Sequence, residues 1–502
     1  MNFIKKIDKH IKIDAYLFYF WILIIIGILF ISSSYPMMKI KFDVWQHIGD
    51  IDNLVHNSEL KIGRSNWHKV WAFIFRSLNI HNIYEYALVI HRVQFFLNCL
   101  LIYITSQQLC AALLSHFGNE KNEKNWVSSL ALSSVLVWLT VIGTMSTFQQ
   151  AWIMWYSVNY QITLTFILCA VAMCVNVLVL DQAKHWILIK LSIAFALIFL
   201  TYLFHAGELA YLLVYLIFLF IFFAKKNKLP QIIIAIIIFL IASCVATTYY
   251  VDRVPELVTL IGNKNYSKIQ SLISEYGNWN VEGGNRYLAN WNELYFFSAS
   301  LGLPVLILAY IGKNKVNKNV LYFILASLIF CFIPTFSYSS GIASLIVGFG
   351  IVNRLYFASY IFLLIPVFIY MLIIDYRPLN KPVNLIAIVC ILLVIVYMYS
   401  KEINNQGVFY KNIKSIKNSL DSKLVGVDIS SSKVGEIKRK IEDAEFMHGV
   451  DNIIFCSNYD VGHIVKYQFR RTNIYFDRFS AYNLQDCLNF AKNQNKISIV
   501  IN

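Results

Sequence analysis

Carboxylate and imidazole side chains recur at helical spacing in the polar segment that follows the first apolar block of the chain. His47 lies four residues after Asp43, and Asp50 lies three residues after His47. On an α-helix this spacing places all three side chains on one face. A carboxylate and an imidazole held together can act as a general base and its partner. The segment therefore predicts a proton-abstracting site, with Asp43 and His47 as catalytic candidates and Asp50 as a substrate-binding residue beside them.

Cationic side chains near the ends of apolar blocks form a second group of candidates. Arginine presents a planar fork of donors that suits phosphate. An ionisable residue inside a membrane span is costly and is by default a functional candidate. We expect substrate-binding roles for His91, Arg92, Arg286 and Arg354. For Arg92 the alternative is a structural pairing, for example with Glu85.

A third candidate pair, His205 and Glu208, lies in a short turn between two apolar blocks. A carboxylate in such a place needs a partner or solvent. The pair either binds an acceptor or a metal, or it serves structure through an arginine partner, and the sequence leaves both readings open. The chain has no CxxC motif and no His/Cys cluster at zinc spacing. We therefore assign no metal ligands and no certain cofactor, and leave open a divalent metal.

The composition defines the elements that must position these residues. The chain has 502 residues, of which 58% are hydrophobic and only 14% charged, whereas soluble proteins have about 25% charged residues. About 20 apolar residues cross the ~30 Å hydrocarbon core as a helix. Lipid offers no partner to backbone amides, so spans are helices or closed barrels. The apolar blocks lack the alternation of barrel strands, and the sequence predicts a transmembrane α-helical fold.

About eleven spans are predicted from the apolar blocks. They cover residues 15–36, 86–115, 126–147, 153–180, 186–204, 206–223, 231–249, 294–311, 319–336, 353–374 and 383–399. The basic residues that precede the first apolar block, together with its length, predict an uncleaved first span and not a cleaved signal peptide. Lys and Arg gather in alternate connections, which places the amino terminus in the cytoplasm and residues 401–502 outside. Residues 337–352 are read as re-entrant; a full span there would move Arg354 and the carboxyl-terminal part to the other side.

The chain is expected to divide into a membrane domain, residues 1–400, and a soluble domain, residues 401–502. The membrane domain carries two long extracytoplasmic loops, 37–85 and 250–292. In the soluble domain, short apolar runs alternate with helical stretches, which predicts a small α/β layer. Its predicted strands are 424–429, 452–456, 473–476 and 497–501, and its predicted helices are 432–448, 461–471 and 484–493.

The net charge and the positions of the cysteines indicate which partners and which cellular compartment the chain can have. The net charge of +15 is explained by basic loops that bind anionic lipid headgroups. No basic stripe with interleaved aromatic residues points to nucleic acid. Cys456 and Cys487 both lie in the soluble domain, where an oxidising compartment permits a disulfide. Their separation in space does not follow from the sequence.

The motif Asp43-x-Trp45-x-His47, directly after a first span, resembles the opening of GT-C glycosyltransferases. Many bacterial members begin with a span and an acidic–x–Trp–Trp–His-like segment, and this chain has Gln46 where the second Trp often stands. Residues 66–71 resemble a second Trp-containing helix start. The layout of spans, first loop and terminal domain is also similar to that of phage-type O-antigen-modifying glucosyltransferases.

The resemblance implies a specific activity. GT-C enzymes take a sugar from a polyprenyl-phosphate carrier and pass it to an acceptor at the extracytoplasmic face. Asp43 would be the catalytic carboxylate, and His47 would assist it or bind phosphate. We therefore expect an inverting transfer to an envelope glycan or lipid, such as lipopolysaccharide O-antigen, at the bacterial inner membrane, with the carboxyl-terminal domain in the periplasm.

Two alternatives stay in view. An O-antigen or polysaccharide polymerase also has many spans and basic outer loops, but typically lacks a folded α/β tail. A transporter or flippase of lipid-linked glycans tends to show internal repeats and broken helices around ionisable groups at the membrane midplane. The sequence shows no such repeat, and its polar groups gather at one face.

Overall fold

The structure is a computed structural model that is mostly helical. It describes residues 43–56, 66–81, 83, 87–115, 127–128, 130–135, 138, 159–223, 236, 240, 259–275, 316–333, 337–347, 358–360, 362–364, 366–367, 431–457, 465, 474–475 and 484–501. The helices in this part of the chain are α1 (Asp43–Val55), α2 (Asn66–Ser77), α3 (Ala87–Leu113), α4 (Asn159–Val179), α5 (Lys184–His205), α6 (Leu209–Phe223), α7 (Lys318–Ala326), α8 (Ile329–Phe332), α9 (Ser337–Val347), α10 (Ser431–His448) and α11 (Leu484–Asn493). The strands are β1 (Ile453–Ser457), β2 (Ile474–Tyr475) and β3 (Ile497–Ile501).

Three helices of the described residues are long and apolar enough to cross a membrane. Their apolar windows are Phe96–Leu113 in α3, Ile162–Val179 in α4 and the whole of α5. The neighbouring α6 is apolar but shorter. These four helices coincide with the predicted spans 86–115, 153–180, 186–204 and 206–223. The predicted spans 15–36, 294–311 and 383–399 lie outside the described residues, so the count of eleven stays a prediction.

Burial distinguishes a central helix from a peripheral one. Almost all of the apolar window of α4 is buried, whereas most of α5 is not. The exposed part of α5 includes Leu188, Ile193 and Phe199. A contiguous apolar surface of this kind belongs against lipid or another apolar partner. Polar side chains join the central helices: the Thr165 hydroxyl donates to Asn98 Oδ1 across 2.8 Å, a typical interhelical bond of membrane bundles.

Residues that are not α-helical lie within both predicted spans 319–336 and 353–374. α7 ends before Ser327, and residues 358–360 are not α-helical. The Ser327 hydroxyl donates to the Ile324 carbonyl across 2.6 Å and accepts the Tyr360 N–H across 3.0 Å. A serine hydroxyl that bonds locally offers the backbone an alternative to the helix ladder. The non-helical residues near Ser327 and Tyr360 thus provide hydrogen-bond partners for each other. Backbone that is neither helical nor in contact with water needs such partners.

The segment predicted to be re-entrant contains a short helix, α9. Its 11 residues rise about 16 Å, roughly half of the hydrocarbon thickness. A Cβ at Gly341 in α9 would overlap the backbone carbonyl of Ile273, so only glycine allows this close approach. Ile273 belongs to helical residues 266–275 of the long loop 250–292. Residues 348–352 lie outside the described residues, and the choice between a re-entrant segment and a full span stays a prediction.

The carboxyl-terminal residues form a three-stranded sheet in the order β2-β1-β3, with both pairings parallel. All five residues of β1 are buried, as expected for a strand covered on both faces. Ile437 and Ile441 of α10 pack with Phe455 on one face. Cys487 and Ala491 of α11 pack with Cys456 on the other.

This sheet agrees with most of the predicted α/β layer. α11 and β3 have the predicted bounds, and α10, β1 and β2 agree to within about two residues. The predicted strand 424–429 and nearly all of the predicted helix 461–471 lie outside the described residues. Cys456 and Cys487 form a disulfide with a Cα–Cα distance of 5.9 Å, which settles the question that the sequence left open.

The chain separates into two compact units. One comprises residues 1–29, 95–154 and 159–411, and the other residues 30–94, 155–158 and 412–502. The second unit thus contains α1 and α2 of the first loop (residues 37–85) as well as the carboxyl-terminal sheet. The boundary predicted near residue 400 separates residues in the membrane from residues in water. These compact units do not test it, and it stays a prediction.

Candidate functional site

Helices α1 and α2 of the first loop pack against each other along apolar stripes. In α1 the buried residues Ile48, Ile51 and Val55 recur at three- and four-residue spacing, as on the inner face of an amphipathic helix. α2 buries a matching stripe, consisting of Trp67, His68, Trp71, Ala72 and Phe75. The two stripes give α1 and α2 a fixed rotation about their axes, which decides where their polar side chains meet.

Arg76 locks the end of α2 to the end of α1. Its Nε donates to the Val55 carbonyl across 3.2 Å, and its Nη2 donates to the Leu54 carbonyl. The last carbonyls of a helix have no partner within the helix, so this guanidinium satisfies acceptors that α1 itself leaves open. Because the two ends meet at Arg76 and the two beginnings meet at His47 and His68, the helices run in the same direction.

Two histidines and an aspartate meet between these helices. His47 Nδ1 lies 2.7 Å from His68 Nε2, and His68 Nε2 lies 3.9 Å from Asp50 Oδ2. The three side chains are buried, with His68 fully inaccessible and His47 and Asp50 exposed by 7% and 9%. A hydrogen bond between two imidazole nitrogens needs one N–H and one bare nitrogen. The two rings therefore share a proton beside a carboxylate.

Aromatic rings hold the histidine pair in place. The rings of His47 and His68 lie nearly parallel, at an interplanar angle of 13° and with centroids 4.9 Å apart. Trp67 meets them edge-on, at 6.0 Å from His47 and 5.0 Å from His68. The indole N–H of Trp67 donates to Gln94 Oε1 in α3 across 3.2 Å. Packing and hydrogen bonding thus limit the rotation of both imidazoles, the preorganisation that a binding site requires.

The predicted catalytic residues belong to this pair of helices. Asp43 is the first residue of α1, and His47 and Asp50 follow on the same helix, so the predicted one-face spacing is present in the backbone. His91 and Arg92 lie near the start of α3. Arg286 and Arg354 lie outside the described residues. Whether these residues act in catalysis or bind substrate stays a prediction.

The His205–Glu208 pair forms where the sequence suggested. His205 ends α5, Glu208 ends the 3₁₀ turn Ala206–Glu208, and His205 Nδ1 contacts Glu208 Oε2. Glu208 is fully buried, and the His205 side chain is 23% exposed. A buried carboxylate is tolerated when it is paired, and the imidazole supplies that pairing. Whether the pair binds an acceptor or a metal, or serves structure alone, stays a prediction.

His68 is not among the site residues predicted from the sequence. It lies 21 residues from His47, and no local spacing connects the two. The available signal was the buried stripe of α2: a histidine among Trp67, Trp71 and Phe75 on the apolar face of a helix requires a polar partner. The donor atoms of His47, Asp50 and His68 all lie within 4.8 Å of one another. Of the described residues, this triad is the group that could hold a metal ion.

Comparison with known proteins places the fold in a class. No protein-family model matches the chain, and no curated protein sequence matches it. Solved structures do match, and one of them, an archaeal oligosaccharyltransferase, shares the fold of this chain. The resemblance predicted from the first-loop motif is confirmed for the fold.

The structure that carries this assignment is the archaeal oligosaccharyltransferase AglB from Archaeoglobus fulgidus, in complex with an inhibitory peptide and a dolichol-phosphate. The TM-score is 0.53 at 12% sequence identity, and the match covers 97% of this chain and 70% of that chain. A second structure, the Archaeoglobus fulgidus oligosaccharyltransferase in complex with Zn and sulfate, has a TM-score of 0.46 at 11% identity and covers 89% of this chain and 61% of that chain.

Proposed function

We propose that the chain is a membrane glycosyltransferase that transfers a sugar from a polyprenyl-phosphate carrier to a hydroxyl acceptor. The observation that carries the proposal is the GT-C fold together with α1, which holds Asp43, His47 and Asp50 on one helix directly after the first apolar block. The AglB structure contains a dolichol-phosphate and a peptide. A lipid phosphate carrier and a separate acceptor are the two ligands that this chain would need.

The reaction assigns roles to Asp43, to His47 and to the cationic candidates. Asp43 removes the proton from the acceptor hydroxyl as its oxygen attacks the anomeric carbon, and the configuration at that carbon inverts. The bond from that carbon to the carrier phosphate breaks, and the phosphate gains negative charge. His47 lies one turn beyond Asp43 and is fixed by His68, so it positions the reacting groups. Arg92, Arg286 and Arg354, with His91, are the candidates for stabilising the leaving phosphate.

The disulfide supports a location at the outer face. Disulfides persist in oxidising compartments and are rare in the cytosol, and the carboxyl-terminal domain contains the Cys456–Cys487 bond. The first-loop helices fall in the same compact unit as this domain, which favours the same side of the membrane for both. We infer an inner-membrane protein with a cytoplasmic amino terminus and a periplasmic carboxyl-terminal domain. The acceptor would be an envelope glycan or lipid such as O-antigen.

The alternatives receive less support. An O-antigen polymerase and a transporter or flippase of lipid-linked glycans would fit the composition, but the fold match is to a glycosyltransferase. The folded carboxyl-terminal sheet is also unlike the tails typical of polymerases.

The test is consumption of a lipid-linked sugar by the purified full chain in lipid nanodiscs. A set of radiolabelled polyprenyl-phosphate monosaccharides is offered with envelope lipids and glycans, and free polyprenyl phosphate is measured together with label in the acceptor. If the chain transfers sugar, free polyprenyl phosphate and labelled acceptor should increase by equal amounts. Movement of the intact labelled carrier across the bilayer with no release of polyprenyl phosphate would support a flippase instead. Joining of acceptor glycan units to each other would support a polymerase.

A further inference from the structure

The described residues bring His47, Asp50 and His68 together in an arrangement that sugar transfer by Asp43 does not by itself explain. Two imidazole nitrogens and one carboxylate oxygen converge there from two helices, with all donor atoms within 4.8 Å of one another. Imidazole suits zinc and the neighbouring transition metals, whereas magnesium and calcium prefer oxygen ligands alone. We propose that these three residues bind a zinc-class divalent metal ion.

The distances fit this coordination after a small adjustment. In a tetrahedral site with metal–ligand bonds of about 2.0–2.1 Å, neighbouring ligand atoms lie roughly 3.3 Å apart. The separation between His47 Nδ1 and His68 Nε2 is 2.7 Å, and that between His68 Nε2 and Asp50 Oδ2 is 3.9 Å. These two pairs each need to move by about 0.6 Å to reach the tetrahedral spacing, and the ligand atoms of the third pair, His47 and Asp50, lie within 4.8 Å of each other.

The surroundings of the triad are those of a built site. His68 is fully buried and His47 and Asp50 nearly so, while Trp67 packs edge-on against both imidazoles. Arg76 ties the far ends of the two helices together. The helices therefore present the three ligands without a large rearrangement, which lowers the entropic cost of binding.

The charges also favour a cation. The triad has one carboxylate, and the short contact between the two imidazole nitrogens requires at least one bare nitrogen. Metal binding replaces the shared proton and uses both nitrogens as ligands. Three protein ligands leave the fourth tetrahedral position for water or another oxygen.

The expected consequence is a cross-link between α1 and α2. Asp50 and His47 come from α1 and His68 from α2, so one ion joins the two helices near their beginnings, as Arg76 joins them at their ends. If the proposed function holds, the ion also fixes the helix that begins with Asp43. Binding itself does not depend on sugar transfer.

The experiment measures zinc binding by the purified full chain with no substrate present. Protein stripped with a chelator is titrated with Zn²⁺ alone in competition with a colorimetric indicator, and with Mg²⁺ alone as a comparison. The variants are His68→Gln and Asp50→Asn, with His81→Gln, an exposed histidine, as the matched control. We expect about one zinc ion per chain in the wild type and in the control, and at least a ~100-fold weaker affinity in both triad variants, since even indirect partners of metal ligands contribute 10–100-fold.

A second measurement guards against variants that fail to fold. Zinc should raise the melting temperature of the wild type and of His81→Gln but not that of Asp50→Asn, whose shape is conserved. The zinc X-ray absorption spectrum of the wild type should show imidazole scattering. Equal zinc affinity in the wild type and both triad variants, equal loss in His81→Gln, or a spectrum without imidazole would overturn the proposal. Because no donor sugar is used, such a failure would leave the glycosyltransferase proposal standing.

Discussion

At the scale of single residues, the spacing of Asp43, His47 and Asp50 in the first loop could be predicted from the sequence, whereas their partner His68 could not. The helical spacing of Asp43, His47 and Asp50 follows from the sequence because α1 is regular and amphipathic. His68 enters only when α2 packs beside α1, since the contact spans 21 residues. Local spacing was therefore enough to predict the polar face of α1. The contribution of α2, which completes the triad with His68, is visible only in the tertiary structure.

The guanidinium of Arg76 provides a residue-scale prediction about stability. Arg76→Ala removes the donors to the Leu54 and Val55 carbonyls. Because Arg76 is exposed, these bonds compete with water and we expect a destabilisation of about 1 kcal/mol, seen as a lower melting temperature of the purified chain. Lys69→Ala is the matched control because Lys69 is an exposed cation on the same helix. An equal loss in both variants would show that the bonds to α1 contribute nothing specific.

At the scale of elements, the long apolar helices are the most predictable part of the fold. Length and hydropathy were enough for α3 to α6, because a membrane span is specified by composition more than by tertiary contacts. The interruptions around Ser327 and Tyr360 were not predicted. They depend on a hydrogen bond between the Tyr360 N–H and the Ser327 hydroxyl, which lie 33 residues apart. The mean hydropathy of an apolar segment does not reveal such a bond. The bounds of α11 were predicted because its buried and exposed faces alternate with helical period.

The contact between α9 and the long loop gives a prediction at this scale. Gly341→Ala places a Cβ on the Ile273 carbonyl, and backbone cannot move aside as a flexible side chain does. Overpacking of this kind costs typically 1–3 kcal/mol, so the melting temperature should fall. Gly262→Ala is the control, since a Cβ there meets nothing within 4 Å. Wild-type stability in Gly341→Ala would contradict the described packing of α9.

At the scale of the whole molecule, the disulfide and the direction of the chain across the membrane are linked. Met447 lies on α10 and is 66% exposed, whereas the free cysteines Cys99, Cys110, Cys169 and Cys174 are buried. Met447→Cys should therefore react with a membrane-impermeant maleimide in intact cells with a permeable outer envelope. Asn227→Cys, in a predicted cytoplasmic connection, should react only after the inner membrane is opened. The reverse labelling pattern would place the carboxyl-terminal domain in the cytoplasm.

The same cells test the redox state of that domain. Cys456 and Cys487 should resist alkylation in the denatured chain until a reductant is added, because they are bonded to each other. Mass spectrometry of the alkylated peptides measures this directly. Alkylation of both cysteines with no reductant present would remove the support that the disulfide gives to an outer-face location.

The central claim is that Asp43 acts as the base in sugar transfer. The most direct measurement is the rate of transfer from a polyprenyl-phosphate sugar by Asp43→Asn, compared with the wild type and with Asp443→Asn, an exposed aspartate on α10. The amide cannot accept the proton, and general bases contribute about 10²–10⁴-fold. We expect a loss in kcat of that size for Asp43→Asn, wild-type activity for Asp443→Asn, and normal membrane insertion of both. A rate for Asp43→Asn within a fewfold of the wild type would contradict the account.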